Sequence, residues 1–184
     1  MVPMAIDIEF PDKLGIDRLL AAYAAWSLFG NSKALIVLQV GTAVTIDLVD
    51  KRGVYQGGVI LPSETTLYSS LAEKTDLLPK IEVDASRFEI DLGPPGELLK
   101  VHRDQSIEEM RSVPAKNTVD AIKIGVSHCM RGGVEWTYQR YCRELGAMLP
   151  VVATGGGALQ LHIDQMPMTV VSNLVLKGLS LLPA

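Results

Sequence analysis

The sequence predicts a mixed α/β fold, and three observations carry that prediction. Between Ala34 and Ile60, short β-rich runs follow one another across two tight turns. Leu19–Phe29 and Val119–Leu145 carry helical patterning over lengths that strands do not reach. Further on, Pro150–Ala153 leads into Thr154-Gly155-Gly156-Gly157-Ala158-Leu159, which reads as strand, glycine-rich turn, helix.

The elements follow in order. Met1 to Phe10 gives a short strand at best. Pro11 and Gly15 mark a loop, and Asp17 is placed to cap the next helix, its carboxylate accepting from amides two or three residues on. Leu19–Phe29 is apolar almost all round, which predicts a helix deep in the core or at a subunit contact; Gly30-Asn31 ends it. Asp17-Arg18 therefore stands at the start of a rigid helix. It reads either as a cap with an ion pair or as a carboxylate base beside a guanidinium that holds an acidic substrate.

The apolar run Ala34–Leu38 enters Gln39-Val40-Gly41-Thr42-Ala43-Val44-Thr45-Ile46-Asp47, a strand, a tight turn and a strand. Lys51-Arg52-Gly53 is a second turn and Val54–Ile60 a third strand. Gly41 lets the backbone approach a ligand with no Cβ in the way, and the Thr42 and Thr45 hydroxyls can meet phosphate oxygens or cap backbone groups. A meander with so small a first turn suits phosphate gripping; a plain β-hairpin carries the same pattern.

Leu61-Pro62-Ser63 turns into a helix from Glu64 to Asp76. Leu78–Pro114, with Pro79 and Gly93-Pro94-Pro95-Gly96, reads as a surface insertion holding a short helix near Ser106–Arg111. Lys116-Asn117-Thr118 caps the Val119–Leu145 helix, with Ala121, Ile122, Ile124, Gly125, Cys129 and Met130 on its buried side. Gly132-Gly133 marks a close helix contact or a kink. His128 reads as structural, since no second His or carboxylate stands at metal-ligand spacing. The glycines after Thr154 offer bare backbone and a helix N-terminus, the form of a nucleotide-contacting loop, although any tight strand–helix turn needs glycine. Asn173–Leu179 is an apolar helix packing on the core.

Composition narrows the function classes. The 184 residues suffice for one substantial core or two small lobes. Apolar content of 48% with 21% charged residues predicts a soluble globular chain. The net charge is −4 and no Lys/Arg run occurs, so neither nucleic acid nor an anionic membrane is an expected partner. The longest apolar stretches are too short to span a bilayer, and the first ten residues lack the pattern of a secretory signal, so the expected location is cytoplasmic. Cys129 and Cys142 read as reduced thiols, buried or idle, rather than a disulfide framework or metal site.

Six motifs agree in type and order: Leu14–Arg18 (LGIDR), Gly41–Asp47 (GTAVTID), Gly57–Ser63 (GGVILPS), Lys116–Gly125 (KNTVDAIKIG), Thr154–Ala158 (TGGGA) and Asn173–Leu179 (NLVLKGL). Together the sequence resembles the type III pantothenate kinases, relatives of the Bvg accessory factor proteins within the sugar kinase, Hsp70 and actin superfamily, which has a ribonuclease H-like fold. The resemblance covers nearly all of the chain outside Ile81–Val113. It implies ATP-dependent phosphorylation of pantothenate, the first step of coenzyme A synthesis. Gly15, Ile16, Asp17 and Arg18 match the motif that holds pantothenate, with Asp17 the general base toward its primary hydroxyl. Gly41 and Thr42 match the ATP-contacting turn, and Gly155 and Gly156 the glycines beside the adenosine. Thr118 matches a substrate-contacting threonine that reaches the site across a homodimer interface. The resemblance also implies magnesium with ATP and a monovalent cation, potassium or ammonium.

Four departures from the family pattern are visible. No D-x-G-N-T phosphate turn precedes Gly15; Gln39 stands at the potassium-binding aspartate; Ile8 stands at a pantothenate-contacting tyrosine; Ser63 replaces a glycine. The expectation is therefore a first lobe truncated at its N-terminus, residues 1–33 being its remnant with the substrate motif, and a complete second lobe over 34–184 that carries the 78–114 insertion. Two functions follow: a pantothenate kinase, or a non-catalytic dimerising or regulatory relative, or gene fragment, that has lost the phosphate turn.

Overall fold

The computed structural model describes residues 2–81, 113–161 and 163–183. Within them the elements run α1 (Ile16–Phe29), β1 (Leu35–Val40), β2 (Ala43–Val49), β3 (Tyr55–Pro62), α2 (Glu64–Lys74), α3 (Thr118–Leu145), β4 (Val151–Thr154), β5 (Met168–Val170) and α4 (Leu174–Ser180). The five strands form one mixed sheet in the order β3-β2-β1-β4-β5. β1–β2–β3 is the antiparallel meander, and β4 and β5 add to β1 in parallel.

Side-chain alternation sorts the sheet into two cores. Ile36, Leu38, Val44, Ile46, Val151 and Ala153 face α3, meeting Met130, Val134 and Tyr138. Leu35, Val37, Val49 and Val152 face α1 and α4. Helix α1 buries Leu19 through Ala22 with Ala24 and Ala25, as its apolar run predicts, while Ile16 and Leu28 stay exposed. Its small residues let α4 come close: a Cβ on Gly178 would fall 2.2 Å from the Leu20 carbonyl oxygen.

Several expectations are corrected. α1 begins two residues earlier than the cap reading requires, with Gly15 at the N-cap, so Asp17 lies inside the first turn and caps nothing. On α3 the buried stripe is Ile122, Val126, Met130, Val134, Thr137 and Tyr138; Ala121, Gly125 and Cys129 lie on the exposed side, a rotation of about one residue from the expected face. α3 runs unbroken through Gly132-Gly133; Gly133 packs on Leu61, where a Cβ would meet Cδ1 at 2.9 Å. After β4 the glycines lead into successive turns closed by Ala158 N donating to Gly155 O (3.1 Å) and Gln160 N to Gly157 O (3.2 Å), not into a helix. β5 was not foreseen, because three residues carry too little pattern. Asn117 caps α3 as expected, accepting from Asp120 N. Residues 5–7 add one parallel bridge at Tyr55, through Asp7 N to Tyr55 O (2.8 Å) and Tyr55 N to Ala5 O (2.9 Å). The helix expected near 106–111 and most of the 78–114 insertion lie outside the described residues. Among the described residues no helix is long and apolar enough to cross a membrane.

Candidate active site

A cleft of about 490 Å³ opens where the ends of β1 and β4 meet the first turns of α1 and α4. Its floor follows from alternation. Leu35 and Val37 belong to the core under α1, and Gln39 continues their line. Thr45 of β2 and Thr154 of β4 stand opposite Gln39 on either side, so the apolar core ends in a polar row across three strands. Thr154 Oγ1 accepts from Leu174 N (3.4 Å), which ties this row to the start of α4. Gln39 Nε2 and Thr45 Oγ1 are buried and meet no hydrogen-bond partner among the described residues.

Asp17 reaches the same cleft from the first turn of α1, where unpaired backbone N–H groups favour a carboxylate. Gly15 makes room for it: a Cβ there would sit 2.6 Å from Asp17 Oδ1. Arg18 turns the other way. Its guanidinium grips Asp47, with Nε donating to Oδ2 (3.2 Å) and Nη2 to Oδ1. Asp47 is fully buried, and Tyr55 OH also donates to its Oδ1 (2.8 Å). Gly58 opens the space for this carboxylate, since a Cβ would fall 2.3 Å from Asp47 Oδ1. The hydrogen bond to Asp47 raises the Arg18 pKa against the opposing effect of burial. Burial, then the Asp47 charge, pushes the Tyr55 phenol well above its ordinary value and keeps it a donor.

Two turns form the cleft's outer wall. In the first, Gly41 N donates to Ala43 O (3.0 Å), and Thr66 Oγ1 donates to Thr42 O (2.9 Å). A Cβ on Gly41 would meet nothing closer than Ala43 O at 3.9 Å, so the backbone does not demand glycine; its bareness keeps the cleft open. Gly155 in the second turn is different. Its φ is +99° and a Cβ would fall 2.3 Å from Val40 O, so only glycine fits. Gly157 N donates to Val40 O (3.3 Å), locking the two turns together. A second hollow of about 230 Å³ shares Val40–Thr42 and Gly156 and extends to Ser63, whose hydroxyl caps α2 by accepting from Thr66 N (3.3 Å).

Asp17, Gln39, Gly41, Thr42, Gly155 and Gly156 thus line one cleft. Gly15 and Arg18 support it from outside the lining, and Ile16 is exposed. Thr118, at the start of α3, is exposed and does not line it. Ile8 packs on the core under α1, against Gly57, rather than in the cleft. Sequence reasoning missed Asp47, Ser172 and Asn173. A carboxylate between Thr45 and Val49 on an inward-facing strand position was the available signal for the first. Asn173 adopts a left-handed conformation (φ 53°), which asparagine tolerates, and gives little signal beyond that.

Comparison with known proteins agrees with the six motifs. The family model described as type III pantothenate kinase matches residues 1–140. A type III pantothenate kinase from Rhodopirellula baltica is 37% identical over 166 residues, covering 90% of this chain and 51% of that protein. One from Methylacidiphilum infernorum is 33% identical over 186 residues, covering 98% and 59%. The chain therefore spans little more than half the length of these curated relatives. A crystal structure of a Baf family transcriptional activator from Campylobacter jejuni superimposes with a TM-score of 0.53 at 20% identity, over 96% of this chain and 66% of that one, a likeness of fold. On the motif order, the mixed sheet and the family match over most of its length, this chain belongs to the type III pantothenate kinase family.

Proposed function

We propose that this chain serves the ATP-dependent phosphorylation of pantothenate to 4′-phosphopantothenate, the first step of coenzyme A biosynthesis. One observation carries the reading: an exposed carboxylate, Asp17, lines the same cleft as the Gly41–Thr42 and Gly155–Gly156 turns. In this reading the primary hydroxyl of pantothenate attacks the γ-phosphorus of ATP, Asp17 takes the hydroxyl proton, and ADP leaves. Bare backbone at Gly41, with the Thr42 hydroxyl, lies along the nucleotide phosphates, and Gly155-Gly156 lies toward the adenosine. Magnesium bound to the nucleotide would supply charge neutralisation at the phosphates. Arg18 acts by anchoring the first turn of α1 to Asp47, which sets the Asp17 carboxylate, rather than by touching substrate. Residues 1–33 are read as belonging to a first actin-like lobe and 34–184 to a second.

Thr118 enters this reading through a second copy of the chain. The solvent-facing side of α3 supports that arrangement, with Gly125 and Gly132 bare and Trp136 60% exposed. At Gln39 a monovalent cation would meet a neutral side-chain amide, whose oxygen can coordinate it but without the charge of the family's carboxylate.

The test is phosphorylation of pantothenate by the purified chain with magnesium ATP, against Asp17→Asn. The variant should lose at least about 10²-fold in turnover with an unchanged melting curve. Equal rates would remove Asp17 as the base. A folded parent with no turnover would favour the alternative, a non-catalytic relative or a gene fragment.

A further inference from the structure

We infer that Thr66, oriented by Ser63, is a positioning residue for the nucleotide: its hydroxyl holds the Gly41–Ala43 turn in the form that receives the ATP phosphates. The inference deepens the kinase reading and rests on it. Carbonyl oxygens repel an anion, so a backbone turn receives phosphates well only when its own carbonyls are engaged elsewhere. Around this turn three are. Val40 O accepts from Gly157 N (3.3 Å), Ala43 O from Gly41 N (3.0 Å) and Thr42 O from Thr66 Oγ1 (2.9 Å). Of the three bonds, the last alone comes from a side chain, 24 positions along the sequence, and Thr66 itself lines neither hollow. Its direction fixes what stands behind it. A carbonyl only accepts, so the Thr66 hydroxyl proton is committed to Thr42 O. The 3.1 Å contact between Ser63 Oγ and Thr66 Oγ1 is then donated by Ser63, and the 2.8 Å contact between Thr65 Oγ1 and Ser63 Oγ by Thr65. Ser63 Oγ also accepts from Thr66 N (3.3 Å), the bond that caps α2. Thr65, Ser63, Thr66 and the Thr42 carbonyl thus form one line of hydrogen bonds running one way, from the start of α2 into the turn. Ser63 is buried and stands where the family pattern has glycine, which has no hydroxyl to donate, so this brace is the chain's own.

Three forms of the 184-residue chain would be compared: the parent, Thr66→Val, which keeps the shape without the donor, and Thr66→Ser, which keeps the donor. Each would be titrated calorimetrically with magnesium ATP and, separately, with pantothenate, alongside ligand-free melting. Thr66→Val should bind magnesium ATP about threefold or more weakly, as expected for one neutral hydrogen bond, and pantothenate as the parent does. Thr66→Ser should bind both as the parent does. Thr66 is exposed on α2 and valine shares its helix propensity, so ligand-free melting temperatures should agree within about 3 °C. The inference is overturned if Thr66→Ser is as weak as Thr66→Val, or if pantothenate weakens in step with the nucleotide. It is overturned equally by a larger melting drop in Thr66→Val, which would make the hydroxyl a brace of the fold alone. A folded parent that binds no magnesium ATP removes the kinase reading together with this inference; parent-like binding of magnesium ATP by Thr66→Val removes the inference alone.

Discussion

Replacing Asp47 with asparagine keeps the side chain's shape and removes its charge, which makes it the sharpest probe of how α1 is held. The carboxylate is fully buried and accepts from Arg18 Nε, Arg18 Nη2 and Tyr55 OH. In Asp47→Asn the Arg18 guanidinium, 17% exposed, is left without its counter-charge and faces an amide NH2 at one of two contacts. Breaking a buried pair on one side costs about 3–5 kcal/mol, and the residual exposure of Arg18 puts the expected loss near the lower end, about 3 kcal/mol. For a chain of this size each kcal/mol moves the melting temperature by about 2–4 °C, so a drop of about 6–12 °C is expected by scanning calorimetry. The double variant Arg18→Met/Asp47→Leu should recover most of that loss, because it removes both charges from the interior. A single variant within about 1 kcal/mol of the parent, or a double variant no better than the single, would refute the claim that this pair fixes the first turn of α1.

Gly155→Ala should cost at least about 2 kcal/mol in urea unfolding, since φ is +99° and the new Cβ would overlap Val40 O; parent-like stability would contradict the contact between the two turns. Gly41→Ala should leave stability within about 0.5 kcal/mol, because its Cβ meets only Ala43 O at 3.9 Å, yet lower affinity for magnesium ATP in a calorimetric titration. Burial raises the phenols of Tyr55 and Tyr141 in the folded chain, so their contribution to stability is complete below the ordinary tyrosine value of about 10 and is lost as pH rises through it toward the folded-state values. Urea midpoints measured from pH 8 to 11 should therefore fall at the alkaline end, with a shallower fall in Tyr55→Phe.

The meander, both long helices and the glycine turn after Thr154 were legible because each rests on local pattern: alternation, helical period, or Gly at a turn. The cleft was legible in part for the same reason. Gly41, Thr42, Gly155 and Gly156 stand in turns whose chemistry shows in the chain itself. Asp17 was singled out together with Arg18 as a substrate-holding pair; Asp17 lines the cleft, whereas Arg18 is engaged by Asp47, 29 positions away on β2, which local pattern does not show. The choice between substrate and Asp47 is made by tertiary packing. The α3 face was misplaced for a similar reason: a helix carrying Ala, Gly and Cys on one side and Val, Met and Val on the other has a weak stripe, and the sheet chose the bulkier one. The helix expected after Gly155 failed because the turn is tied to Val40 by Gly157, a contact between segments more than a hundred residues apart.

The near-contact of Gly178 with Leu20 reaches beyond packing. With Ala21, Ala22, Ala24 and Ala25 filling the seam, α1 and α4 have no slack along which to slide or hinge. The turn bearing Asp17 and the turn bearing Asn173, two faces of the cleft, therefore behave as one solid piece. The backbone that carries the Asp17 carboxylate into the cleft is therefore set when the chain folds.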